Sequence, residues 1–167
     1  MNYGVLIIEA VAFAALFTAM VLIGLFKGDP EAPNNIHNYP PDIQEEYFKT
    51  HKRIDVSYKS KKVLLAKGFG VVLFSVLLTL CSWLAGASTF AEGFLVAFGL
   101  MVWIGLFDTM FIDWVLFANI RKFRLPGTEH MDEAYHQKWF HFRGILFPGI
   151  VFALIPGMIV GAITMLF

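Results

Sequence analysis

A single cysteine, Cys81, stands in 167 residues, so no intrachain disulfide can form. Its apolar setting suits a small buried side chain better than a reactive thiol. Charge is also scarce: Asp, Glu, Lys and Arg make up 16% of the chain, against about 25% in an ordinary soluble domain. Thirteen bases are offset by thirteen acids, which removes the basic excess that nucleic-acid binding draws on. No G-x-S-x-G, Walker A loop or G-x-G-x-x-G occurs, and no Cys/His pair has a nucleophilic setting. Serine-hydrolase, P-loop and dinucleotide chemistries are thereby excluded.

What the chain has instead is apolar length. Hydrophobic residues reach 57%, gathered in runs at about 5–26, 63–84, 90–120 and 145–167. The first would be about 33 Å long as a helix, enough to cross a bilayer. It lacks a positive leader and a small-x-small cleavage site, so the expectation is a retained helix rather than a signal peptide. The third run is longer than a bilayer needs and must tilt or project. These runs predict an all-α, polytopic membrane protein: one domain of four transmembrane helices.

Two long polar segments, 27–62 and 121–144, connect the runs. In the first, Pro41 opens a stretch where Ile43, Tyr47, Ile54 and Tyr58 repeat at helical spacing, with acids early and bases late. In the second, Thr128 reads as an N-cap, and Met131, Tyr135, Trp139 and Phe142 form an apolar stripe. Both predict amphipathic helices lying on the membrane surface. Twelve of the thirteen Lys and Arg residues fall in these two segments, and the turn at 85–89 and both ends of the chain have none. Basic residues stay on the cytoplasmic side, so the expectation is cytoplasmic loops with both termini outside a plasma or inner membrane.

Within the spans the charged residues are few. Glu9 lies near the start of the first helix, where an acid suits the helix dipole. Asp108 and Asp113 interrupt the third, at depths of about 18 and 10 Å from its cytoplasmic end. Lys67, about 9 Å into the second span, is level with Asp113 and predicts an intramembrane ion pair. Asp108 has no base at its level. Five residues of α-helix set the two aspartates about 140° apart, so both face one ligand only if the helix is locally distorted. In the fourth span, Pro148-Gly149 and Pro156-Gly157 predict kinks, and Gly157 to Gly161 is a G-x-x-x-G that allows close helix packing.

A second constellation follows the third span. Glu129, Glu133 and His136 are spaced by four and three residues, and Glu133 with His136 forms an E-x-x-H unit. On a continuous helix these three would offer a face to zinc or another divalent metal. The aromatic and basic residues of 136–143, Trp139, Phe140 and Arg143 among them, read as an interfacial anchor. Three functions fit. One is a permease or ion- and proton-translocating protein, homo-oligomeric, with Asp108 in the pathway alongside Asp113, Lys67 and Glu9. Another is an accessory subunit of a membrane complex. The third is a membrane-interface enzyme, with a metal at Glu129, Glu133 and His136 and a lipid-soluble substrate.

Overall fold

The structure, a computed structural model, describes residues 1–27, 36–53 and 61–166. Those residues are helical or irregular, and no strand occurs among them. In chain order the helices are α1 (Tyr3–Lys27), α2 (Pro41–Tyr47), α3 (Lys61–Leu84), α4 (Phe90–Phe107), α5 (Asp132–Tyr135), α6 (Lys138–Gly144) and α7 (Ile150–Thr164). α4 runs on without a break into a wider, π-helical segment, Asp108–Phe117. Four helices are long and apolar enough to cross a membrane. Their outer faces carry exposed Ile7, Val11 and Leu16 on α1 and Leu65, Phe69 and Val76 on α3. In water these would be a very large apolar patch; in a bilayer they are the solvated surface.

Local chemistry sets the sharpest corner. Gly86, at φ +72°, turns the chain after α3. Thr89 then caps α4: its Oγ1 accepts from the Glu92 N–H at 3.3 Å, and Glu92 Oε2 accepts from the Thr89 N–H at 3.2 Å. This reciprocal pair satisfies two of the free N–H groups at the helix start.

The closest helix contact is between α4 and α7, and the G-x-x-x-G serves it. Phe90, Phe94 and Phe98 stack one above the next on α4, with near-parallel rings. A Cβ at Gly157 would lie 3.2 Å from the Phe94 ring, and one at Gly161 would lie 2.9 Å from the Phe90 carbonyl oxygen. The small residues of α7 therefore receive the aromatic ladder of α4 within one chain. Of the two expected kinks, one forms. The backbone leaves helical geometry at Phe147, before Pro148, while α7 continues through the buried Pro156.

The two surface helices do not form as expected. Ile36, Tyr39, Ile43 and Tyr47 from the first loop bury themselves against Phe117, Phe123, Leu125 and Tyr135 from the second. The two polar segments thus share one small aromatic core at the same end of the bundle, where α2 ends at Tyr47; Ile54 and Tyr58 lie outside the described residues. Tyr39 Oη donates to the Phe123 carbonyl at 3.0 Å, and Gln137 Nε2 donates to Asp42 Oδ2 at 2.7 Å. Burial pushes the Tyr39 phenol pKa up, with nearby Tyr135 adding to it, which keeps the phenol a donor. Thr128 is not a cap. Its Oγ1 lies 2.9 Å from the Leu125 carbonyl and 2.6 Å from Tyr135 Oη, closing a tight loop. The predicted stripe is split accordingly, with Tyr135 buried in this core and Trp139 exposed.

Candidate functional site

The π-helical segment decides what the two aspartates can do. Its backbone bonds close across five residues, as in the Ala118 N–H to Asp113 carbonyl bond. In that wider turn residues five apart come back toward one face, so the separation expected of a regular α-helix does not apply. Asp108 and Asp113 line the same half-open cavity of about 1230 Å³. Its walls are Phe17 and Val21 of α1, the lower half of α4, and the junction between α6 and α7. Tyr39 and Phe123 of the loop core border the same cavity.

Asp113 has a partner that sequence reasoning missed. His141 Nδ1 lies 3.1 Å from Asp113 Oδ2, with the imidazole side chain only 6% exposed. The ring sits edge-on between Phe117 and Phe140. Trp114 Nε1 donates to the Lys138 carbonyl at 3.3 Å, and the Lys138 ammonium lies over the Trp114 ring. These two contacts tie α6 to the π-helical segment and hold His141 against Asp113. With the carboxylate as acceptor, Nδ1 carries the proton of this contact and Nε2 is left as the second polar atom of the ring. That nitrogen is buried and has no hydrogen-bond partner among the described residues.

The other expected site residues lie elsewhere. Lys67 is exposed on α3, a helix that packs on α7, α4 and α1; the neighbour seen at the Asp113 carboxylate is the imidazole instead. Glu9 is buried on α1 beside the Cys81 thiol of α3, away from the cavity wall. Glu129, Glu133 and His136 do not make a metal face. The helix they would share starts only at Asp132 and ends at Tyr135, so Glu129 sits in a preceding turn. His136 Nδ1 is taken up by the Asp132 carbonyl at 2.8 Å. Among the described residues no group of three or more His, Cys, Asp or Glu is placed to hold a metal ion.

The arrangement offers two carboxylates and one oriented imidazole on the wall of an apolar cavity at one end of the bundle. All three residues line that cavity. Arg143 and His37 add charge capacity at its edge. The signal for His141 was present in its spacing from the aspartates only through the fold; in the sequence it is one of several polar residues in an aromatic-basic stretch. No protein-family model, no curated protein and no solved structure matches this chain.

Proposed function

We propose that the chain is a small membrane permease that moves protons, together with a solute held in the cavity, through Asp108 and the Asp113–His141 pair. The observation that carries this reading is the π-helical turn, which gathers both carboxylates and the buried imidazole around one cavity. Wide turns of this kind cost regular hydrogen bonding and recur at functional sites. Intramembrane acids paired with histidine are the usual parts of proton relays. A membrane-interface enzyme is the second reading, favoured by the Asp113–His141 pair alone, since a carboxylate that orients an imidazole also prepares a general base.

Reconstituted vesicles test the transport reading. With a potassium diffusion potential imposed, wild-type vesicles should acidify faster than protein-free ones, as read by an internal pH dye. Asp108→Asn preserves shape and removes the exchangeable proton; its flux should fall at least tenfold while the protein remains folded. Wild-type vesicles no faster than empty ones would end the proton reading and leave the enzyme one.

Orientation is part of the same proposal. The two base-rich loops share a core at one end of the bundle, and the excess of Lys and Arg there favours the cytoplasm. Single cysteines at Thr50 and Ser88, both exposed, in a Cys81→Ala background should label from opposite sides, Thr50 from the cytoplasm. Labelling of both from one face overturns the four-span threading.

A further inference from the structure

We infer that the cavity binds a protonated primary or secondary amine attached to an apolar, ring-bearing body. The inference names the solute of the proposed transport; its binding part stands on the geometry, and only its movement rests on that earlier reading.

The cavity's chemistry is lopsided in what it lacks. Asp108 makes no hydrogen bond or ion pair among the described residues and is partly exposed to the cavity. His141 Nε2 is buried with no hydrogen-bond partner among the described residues. Asp108 is therefore a carboxylate that faces the cavity without a donor among the described residues. A lone metal or alkali ion would satisfy the charge but leave most of a 1230 Å³ space unfilled. That volume is on the scale of organic-ligand sites, which run to about 1,000 Å³. The remaining wall is apolar and aromatic, with Phe17, Tyr39, Phe117, Phe140 and Phe152 on it. Aromatic faces attract an organic cation and accept its apolar body.

The charged and titratable groups on the wall are Asp108, Asp113, His141, His37, Arg143 and the Tyr39 phenol, which donates to the Phe123 carbonyl. Asp113 is already engaged with His141, which leaves Asp108 as the carboxylate open to a ligand. Arg143 is exposed and could draw an anion, but an anion placed beside it supplies no donor to Asp108. A quaternary ammonium supplies charge without N–H groups and is too bulky to bring its nitrogen against the wall. A protonated amine supplies both the charge and at least two N–H donors.

The test uses the full chain in lipid nanodiscs and two probes of equal charge, naphthylmethylamine and its N,N,N-trimethyl analogue, at neutral pH. Trp139, on the cavity wall, provides a fluorescence readout, and calorimetry gives the affinities. The amine should bind at least tenfold more tightly than the trimethyl analogue. Asp108→Asn should weaken the amine at least tenfold and shrink the difference between the probes. Glu129→Gln, an exposed acid outside the cavity, should leave both unchanged. Should Asp108→Asn fail to fold, the comparison of the two probes on wild-type protein still decides. Equal binding of the two probes, or binding that Asp108→Asn does not touch, means partition into lipid only and overturns the inference. Tighter binding of naphthalene sulfonate than of the amine overturns it in favour of an anion at Arg143. Amine binding without any proton flux would keep this site and remove the transport reading; flux without amine binding would do the reverse.

Discussion

Asp113→Leu is expected to lower the thermal unfolding temperature in detergent, by the equivalent of about 1–3 kcal/mol for the one imidazole nitrogen, Nδ1, that it leaves bare. The carboxylate is the only hydrogen-bond partner of the His141 ring among the described residues, and the imidazole side chain is only 6% exposed. Leucine fills the volume but accepts nothing. Asp113→Asn keeps an acceptor oxygen opposite Nδ1 and should cost about 1 kcal/mol, the scale of one net hydrogen bond. The informative variant is the double change Asp113→Leu with His141→Phe. Replacing both partners by apolar groups removes the unsatisfied donor as well as the bond, so most of the lost stability should return. A single Asp113→Leu protein that unfolds at the wild-type temperature would mean that the pair does not hold α6 in place. A double variant no better than the single one would mean that the loss came from packing alone.

The spans were legible because their physics is one-dimensional. A run of about twenty apolar residues is long enough to cross a bilayer wherever it occurs, and α1, α3 and the continuous span Phe90–Phe117 begin and end within a few residues of the predicted runs. The loops were not legible for the opposite reason. Ile43 and Tyr47, or Tyr135 and Trp139, show helical spacing that fits a membrane surface and a protein core equally well. Only the partner segment decides, and each loop turned out to be the other's partner. The same limit applied to Glu129, Glu133 and His136, whose spacing has meaning only on a helix that starts before Glu129. The site lay between these cases. Two aspartates five residues apart in an overlong apolar run read as about 140° apart unless the helix were distorted, and no residue type marks a π-helical turn. His141 was hidden because its contact with Asp113 spans a loop and two helices.

Gly161→Leu should be strongly damaging to the bundle, with Gly161→Ala a milder version of it. Lipid tails are as apolar as the helices, so bundle stability depends on close packing rather than on the hydrophobic effect between spans. At Gly161 that packing leaves no room. A first carbon there would lie 2.9 Å from the Phe90 carbonyl oxygen and 3.0 Å from its ring. A flexible side chain could give way, but this neighbour is backbone, at the start of α4 just after the Thr89–Glu92 cap. Alanine is therefore expected to cost about 1–3 kcal/mol, the usual range for overpacking, and leucine more, by forcing α4 and α7 apart and unstacking Phe90 from Phe94. Gly99→Ala is the matched control. No atom lies within 4 Å of a Cβ built there, so the change should be neutral or stabilising, by up to about 1 kcal/mol of helix propensity. Thermal unfolding in one detergent, with helicity checked by circular dichroism, gives the order wild type or Gly99→Ala highest, Gly161→Ala lower and Gly161→Leu lowest. Gly161→Leu protein that unfolds as late as Gly99→Ala would show that α4 and α7 are not held together through this groove.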